Sequence, residues 1–138
     1  MFNKIDKNII NALYDNASLS NDEIAKMLNV SRGTIRNRLI KLEQEGIIKN
    51  YSIRARLHKI DLSEAIVGLD IMPEEYINAL DSVSKLDFVK EVYRTSGDHS
   101  ALIMIITNSD EIKDKIQEIN KVKGIRNTYP SFIQEIIK

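Results

Sequence analysis

The sequence lacks cysteine altogether, and its 138 residues include only two histidines, His58 and His99. The absence of cysteine excludes disulfide frameworks, thiolate zinc sites and cysteine nucleophiles. Two histidines leave little for a histidine-rich metal site, so we predict neither a bound metal nor a cofactor. No apolar run approaches the roughly 20 residues that cross a bilayer, and the N-terminal segment lacks the apolar core of a signal peptide. We therefore expect a cytoplasmic protein with no membrane partner.

Charge is divided unevenly along a chain whose formal net charge is zero. Residues 1–59 contain 11 basic and 6 acidic side chains, a net charge of +5, whereas residues 60–138 contain 9 basic and 14 acidic side chains, a net charge of −5. The composition, 43% hydrophobic and 29% charged, is typical of a folded chain. The division favours two modules with different partners over chance clustering of charge.

Aliphatic residues at helical spacing predict three short helices in the basic part of the chain. The first covers residues 4–15, a capping-box pattern of Ser20 and Glu23 starts the second, and Ser31 starts the third, which Gly46 ends. The predicted core faces are Ile5, Ile9, Ile10 and Leu13; Ile24, Ala25 and Leu28; and Ile35, Leu39 and Leu42.

Only residues 29–31 separate the second helix from the third, and so short a gap forces the sharp turn of a helix-turn-helix. The β-branched and basic residues of 47–57 predict a two-stranded wing with its exit strand. We therefore predict a winged helix-turn-helix domain over residues 1–50, followed by the exit strand and a linker over residues 51–62.

The remaining residues, 63–138, predict the order β-α-β-β-α-β, which is the ferredoxin-like split and makes the fold class α+β. The predicted strands are 65–72, 88–95, 101–106 and 125–137. The helix opened by Pro73 is predicted to bury Ile77, Leu80 and Val83, and the helix opened by a capping box of Asn108 and Glu111 is predicted to bury Ile112, Ile116 and Ile119.

Two features of these strands predict that a second subunit covers the sheet. The run Ala101–Ile106 is continuously apolar, which indicates a strand covered on both faces. Pro130 restricts the last strand to an edge or a bulge. Because an uncovered sheet is a liability, we predict a homodimer.

The third helix is predicted to carry a DNA-reading surface opposite its core side. Asn37 has the geometry to pair with adenine, Arg36 or Arg38 with guanine, and the methyl group of Thr34 with that of thymine. More peripheral cations suit phosphates; these are Lys41, Lys49, Arg54 and Arg56. The complete set predicted to contact double-stranded DNA is Ser31, Arg32, Gly33, Thr34, Arg36, Asn37, Arg38, Lys41, Lys49, Arg54 and Arg56.

A single exposed cation on a helix more often only solvates that face. Here, however, seven basic residues stand against two acidic ones between residues 32 and 56, and they are centred on the helix after a tight turn. This concentration favours DNA binding over a merely solvated helix face.

The sequence resembles the Lrp/AsnC transcriptional regulators over essentially its whole length. The resemblance lies in LSNDEIA at 19–25, LNVS at 28–31, IRNRL at 35–39 and LEQEGII at 42–48, together with the βαββαβ half. It implies a sequence-specific transcriptional regulator whose C-terminal regulatory modules join a dimer through their sheets, often assembling further into tetramers or octamers. It also implies palindromic DNA sites and, in many members, a small effector that is usually an amino acid.

The effector loop is where the sequence departs from the family pattern. The resemblance places effector binding at Gly97, Asp98, His99 and Ser100, but Ser100 stands where the family often has a second Asp and Ala101 where it often has Tyr. A carboxylate-bearing effector fits backbone donors near Gly97, with His99 sensing it. The alternative is that Gly97 and Asp98 only make a tight turn and His99 faces solvent.

Two other functions stay open at this point. Chains similar to Lrp/AsnC include decarboxylases of siroheme-type tetrapyrroles, which need histidines around a large pocket. A regulatory partner that never touches DNA is the other alternative, and the basic front module argues against it. No catalytic constellation stands out, so we predict that the protein is not an enzyme.

Overall fold

Two units make up the structure, a computed structural model that describes residues 1–138: Met1–Arg54 and Ala55–Lys138. The first unit contains nine basic and six acidic side chains, and the second contains eleven and fourteen. The net charge is therefore +3 for the first unit and −3 for the second, so the charge contrast remains when the chain is divided at the boundary between the units. That boundary falls inside the segment predicted to contain the wing exit strand and the linker.

The first unit contains the three predicted helices, α1 (Lys4–Asp15), α2 (Asn21–Leu28) and α3 (Arg32–Gln44). Their core faces meet in one apolar cluster whose fully buried members are Ile9, Ile24 and Ile35, with Leu42 almost as deep. The capping box that starts α2 is also confirmed, because the Glu23 N–H donates to the Ser20 hydroxyl at 3.1 Å.

The turn between α2 and α3 is as short as predicted. Asn29 ends α2 with φ at +56°, a left-handed conformation that Asn tolerates better than most residues. The Val30 N–H then donates to the Ala25 carbonyl at 3.1 Å, and Ser31 already caps α3. The two helices are therefore joined by a single rigid turn, which is the helix-turn-helix arrangement.

The two-stranded ribbon predicted over residues 47–57 is wrong as secondary structure, because this segment contains no strand. Instead, the Ile48 N–H donates to the Leu42 carbonyl at 3.0 Å, and the Tyr51 hydroxyl donates to Glu43 at 2.7 Å. These bonds fold the chain back against α3, and an isolated two-stranded ribbon is only marginally stable in water. A 3₁₀ turn, Leu57–Ile60, follows in the second unit.

The second unit is a four-stranded antiparallel sheet with two α-helices, and it confirms the predicted βαββαβ order. Its elements are β1 (Leu62–Ile71), α4 (Tyr76–Ser84), β2 (Val89–Arg94), β3 (Ala101–Asn108), α5 (Ile112–Asn120) and β4 (Ile125–Phe132). The strands lie in the order β2-β3-β1-β4, so β4 with Pro130 is an edge strand, as predicted. No helix of the structure combines the length and the apolar character needed to cross a bilayer.

The sheet buries one face against α4 and α5 and leaves the other partly open. On β3, residues Ala101, Ile103 and Ile105 are buried, while the intervening Leu102, Met104 and Ile106 are only half-buried. The prediction that β3 is covered on both faces therefore does not hold within one chain, because α4 and α5 both pack on the same side. We call the second side, with Ile66 42% exposed at its centre, the outer face.

Local details near the helix starts differ from prediction. A 3₁₀ turn, Pro73–Glu75, precedes α4, which buries Ala79 and Val83. Ile77 is 66% exposed, because it lies six residues before Val83 and therefore about 120° around the helix from it. The capping box of Asn108 and Glu111 is also wrong. Asn108 is still in β3, its backbone carbonyl accepts from the Glu111 N–H at 2.9 Å, and α5 starts at Ile112 without a side-chain cap.

The last strand is shorter than predicted. β4 ends at Phe132, opposite Ala65, and only the Ile133 N–H, which donates to the Glu64 carbonyl at 2.9 Å, continues the pattern. β1 extends three residues beyond Ala65, to Leu62, but the chain after Ile133 does not continue the pairing with it. Residues 134–138 of the predicted strand therefore lie outside the sheet.

Candidate nucleic-acid interface and effector loop

The polar face of α3 presents side chains that the protein itself does not use. Arg36 and Asn37 are exposed and make no hydrogen bond or ion pair within the chain. Gly33 lies in open space, since a Cβ placed there would have the Ser31 hydroxyl as its nearest neighbour, at 4.0 Å. Ser31 caps the helix by accepting from the Thr34 N–H at 3.1 Å, and the two hydroxyls lie 2.7 Å apart. The first turns of α3 therefore offer an approachable surface with free donors and acceptors.

Arg36 borders a cavity of about 420 Å³ on one flank of α3, which Leu39, Glu43 and Tyr51 also line. Burial and the hydrogen bond to Glu43 raise the pKa of the Tyr51 hydroxyl to about 12. The Tyr51 hydroxyl thus remains a donor to Glu43 across the physiological range. This bond holds the chain after α3 close to the helix, beside Arg36.

Arg38 differs from Arg36, because Asp6 of α1 engages its guanidinium. Arg38 Nε donates to Asp6 Oδ1 and Arg38 Nη2 donates to Asp6 Oδ2, both at 2.6 Å. The Asp6 side chain is 2% exposed and that of Arg38 is 22% exposed. The hydrogen bond to Asp6 raises the pKa of Arg38, and the same bond lowers the pKa of Asp6. Sequence reasoning assigned Arg38 to DNA and missed Asp6, whose contact is 32 residues away along the chain.

Two further cations of α3 also have neighbours within the first unit. The ammonium group of Lys41 lies 5.5 Å from the centre of the Phe2 ring. Arg32 pairs with Asp22 of α2 at 3.6 Å, and both side chains are well exposed. Exposed pairs and cation–π contacts of this kind are weak, so neither prevents contact with a phosphate.

The other predicted phosphate contacts lie beyond α3. Lys49 is exposed, and Arg54 is exposed and donates to the Ile53 carbonyl at 3.3 Å. Arg56 is exposed as well, but it belongs to the second unit. The structure therefore brings Lys49 and Arg54 into the same unit as α3 and assigns Arg56 to the other.

The loop between β2 and β3, residues 95–100, uses most of its polar groups internally. The Thr95 hydroxyl donates to the His99 carbonyl at 2.7 Å, and the Ser100 hydroxyl donates to the Leu69 carbonyl at 3.2 Å. The Ser100 carbonyl accepts from the Thr95 N–H and, at 2.5 Å, from the Tyr76 hydroxyl. Ser100 is therefore a structural residue of the loop.

The tip of this loop is open. Gly97 has φ at +111°, and nothing lies within 4 Å of the place where a Cβ would be. Asp98 is exposed. Of the four residues predicted to bind an effector, Gly97 and Asp98 are exposed, whereas His99 and Ser100 are partly buried.

The ring of His99 does not extend into solvent but lies on the outer face of the sheet. A Cβ on Gly68 of β1 would be 2.5 Å from the imidazole, and the Tyr129 ring of β4 is 4.8 Å away, centre to centre. Gly68 thus provides the space that His99 occupies. Sequence reasoning missed both Gly68 and Tyr129, although a glycine inside an apolar strand signals close approach of another group.

The second histidine lies in a different setting. His58, in the 3₁₀ turn before β1, is exposed and borders a cavity of only about 50 Å³, which Glu64 and Glu135 also line. A tetrapyrrole needs a far larger space, so this geometry gives no support to the decarboxylase alternative. No group of three or more metal-ligating side chains is arranged around a common point.

Each of the two units matches a known protein family. The family described as winged helix-turn-helix DNA-binding matches residues 2–49, and the Lrp/AsnC ligand binding domain matches residues 64–138. The HTH-type transcriptional regulator LrpA of Pyrococcus horikoshii is 33% identical over 141 residues, which cover 100% of both chains.

Solved structures agree with this match. The structure of E. coli AsnC is 27% identical, with a TM-score of 0.69, and the match covers 100% of this chain and 95% of that one. The crystal structure of PH0061 is 24% identical, with a TM-score of 0.86, and covers 100% and 96%; at that identity it shows the shared fold alone.

Proposed function

Because the chain belongs to the Lrp/AsnC family and is a DNA-binding transcriptional regulator, we propose that it binds palindromic promoter DNA as a homodimer and that α3 reads the sequence. In this proposal Arg36 and Asn37 contact base edges in the major groove. Lys41, Lys49 and Arg54 contact phosphates, which position the protein without reading sequence.

The observation that carries this proposal is the unused polar face at the start of α3. Arg36 and Asn37 are exposed and unpaired, Gly33 leaves the helix surface open, and the rigid turn at Asn29 fixes α3 against α2. A helix of this kind fits the major groove with its N-terminal residues toward the bases. Arg38 is not part of the base-reading set, because Asp6 occupies its guanidinium.

The division between base reading and phosphate contact is tested with three single variants on a selected site and on random duplex DNA. We expect Arg36→Ala and Asn37→Ala to cost about 1–3 kcal/mol on the selected site and little on random DNA. Lys49→Ala is expected to weaken both equally and to reduce the salt slope of log K by about 0.9. Equal losses on both DNAs for all three variants would contradict the assignment.

The partly open outer face of the sheet supports a homodimer. Ile66, Leu102, Met104 and Ile106 form an apolar patch there, and a second copy that covers it would remove this surface from water. To reach successive major-groove faces of a palindrome, the two α3 helices of the dimer must lie about 34–36 Å apart. Ile66→Asp is expected to shift sedimentation from dimer to monomer, whereas Ile77→Asp, exposed beyond the other side of the sheet, is the control and should not.

The β2–β3 loop supports modulation by a small effector. Its tip, Gly97 and Asp98, is accessible, and the imidazole of His99 lies next to it on the outer face. We propose that a free amino acid binds there through its carboxylate and the backbone of the loop. A panel of amino acids tested by calorimetry and thermal shift should identify a ligand whose heat is lost in Gly97→Val; no heat and no shift for any of them would contradict the site.

A further inference from the structure

Asp6 and Arg38 form the most complete polar arrangement in the first unit, and it joins α1 to α3. The carboxylate accepts two bonds of 2.6 Å from the guanidinium, one on each oxygen. Bidentate arginine–carboxylate pairs of this geometry are the strong ones, and here the acid is almost fully buried. The pair therefore persists in salt solutions that screen exposed charges.

Other bonds fix the carboxylate in place. The Asn3 N–H donates to Asp6 Oδ2 at 2.7 Å, and the Asp6 N–H donates to Asn3 Oδ1 at 3.1 Å, which is the capping box of α1. On the other side, Arg38 Nη2 also donates to the Met1 carbonyl at 3.3 Å. Neither partner of the ion pair can turn away without losing several bonds at once.

Arg38 lies next to a cation that is proposed to contact phosphate. Lys41 is three residues along α3, and residues at this spacing are neighbours on a helix surface. Lys41 lies over Phe2, close to the start of α1, where Asp6 holds Arg38. An Arg38 side chain released from Asp6 would thus be within reach of the same stretch of DNA backbone.

We propose that Asp6 limits the affinity of the first unit for DNA, because it holds Arg38 against α1 and so keeps this cation off the DNA phosphates. A phosphate contact multiplies the affinity for every sequence by the same factor, so Asp6 limits the overall, salt-dependent affinity for DNA and leaves the ratio of specific to random binding unchanged. Asp6 acts through Arg38 and is a positioning residue that does not touch DNA. The proposal rests on DNA binding by α3.

The salt dependence of binding to random duplex DNA tests the proposal in the full chain. Asp6→Asn keeps the size of the side chain and an acceptor for the Asn3 N–H, but it removes the charge that holds Arg38. One additional phosphate contact steepens the salt slope of log K by about 0.9. Between about 50 and 200 mM salt, we expect Asp6→Asn to lose about 3.5-fold more affinity than the wild type. Its affinities for the selected site and for random DNA are both expected to rise by the same factor, so that their ratio stays that of the wild type.

The matched control is the double variant Asp6→Asn/Arg38→Met, which should return to the wild-type slope because the released cation is gone. A slope of Asp6→Asn equal to or shallower than that of the wild type would overturn the proposal. A steeper slope that persists in the double variant would also overturn it, since Arg38 would not be the cause. Absence of any DNA binding by the wild type would instead contradict the DNA-binding function itself.

A second variant keeps the test valid if Asp6→Asn does not fold. Replacing both partners, as in Asp6→Leu/Arg38→Met, leaves no buried charge unpaired, and such exchanges are often neutral for stability. Because Arg38 makes no phosphate contact in the wild type, this variant is expected to keep the wild-type slope. A slope shallower by about 0.9 would show that Arg38 already contacts DNA and would overturn the proposal.

Discussion

Two surfaces are predicted to bind ligands, the polar face of α3 and the β2–β3 loop. They differ in how many of their polar groups are already bonded within the protein. On α3, Arg36 and Asn37 are free and only Arg38 is fully engaged. In the loop, Ser100 is bonded to the protein on both its hydroxyl and its carbonyl, and the His99 ring is packed on the sheet. The presence of a polar residue type thus predicts a binding surface only where the fold leaves that residue unused.

The largest expected effect separates the engaged arginine from the free one on the same helix. Arg38→Met leaves Asp6 buried and unpaired, which is expected to cost about 3–5 kcal/mol. Arg36→Met removes an exposed, unpaired side chain and should change stability by less than about 0.5 kcal/mol. Hydrogen exchange of α1 and α3 peptides reports the local unfolding free energy. Similar protection in the two variants would contradict the contrast.

The same ion pair makes the first unit sensitive to acid. The Arg38 hydrogen bond lowers the pKa of Asp6 below its ordinary value of 3.8. The pair's contribution to stability is therefore fully present above pH about 3.8 and is lost as the pH falls through the lower folded pKa. Urea titrations at several pH values should show the wild type losing stability in acid relative to Asp6→Leu/Arg38→Met. A constant difference between the two would contradict this role of Asp6.

The next largest effect on stability concerns the packing of the His99 ring against Gly68 on the outer face. Gly68→Ala places a methyl group where the imidazole lies, and we expect a loss of about 1–3 kcal/mol from overpacking. In the His99→Ala background the same substitution should be nearly neutral, so the double-mutant cycle isolates the contact. Equal costs in both backgrounds would show that the cost of Gly68→Ala does not arise from contact with the imidazole.

The smallest effect tests the anchoring of the loop by Tyr76. Tyr76→Phe removes the bond to the Ser100 carbonyl and should cost about 0.5–1.5 kcal/mol. Tyr14→Phe is the control, because Tyr14 is 86% exposed. It should change the free energy of unfolding by less than about 0.5 kcal/mol. Thermal unfolding followed by circular dichroism compares the two, and equal shifts would contradict the anchoring role.

Most of the fold was predictable because its signals are local. Periodic isoleucines and leucines, the Ser20 cap and the three-residue gap before α3 act within a few residues, and the structure confirms each of them. The start of α4 was mispredicted because a 3₁₀ turn, Pro73–Glu75, precedes the helix, and propensity does not distinguish that turn from the first turn of an α-helix.

At the sites, the partners of the predicted residues were missed for a different reason. Arg38 and Asp6, like His99 and Gly68, meet across about thirty residues of chain, and helix periodicity gives no information about such partners. An arginine at the flank of a recognition helix therefore has the same sequence signature whether it binds DNA or an internal carboxylate. The strand pairing expected for residues 47–57 failed for another reason, because two short-range hydrogen bonds hold the start of this segment against α3.

The most direct test of the central claim is a selection of bound genomic fragments at about 0.15 M salt, made in parallel with the wild type and with Asn37→Ala. If α3 of a dimer reads sequence, the wild type enriches a palindrome whose half-sites are about 10–10.5 base pairs apart or a multiple of this. The variant should then lose preference at one symmetric pair of positions. Binding by the wild type with no enriched motif, or an identical motif from both proteins, would contradict the account.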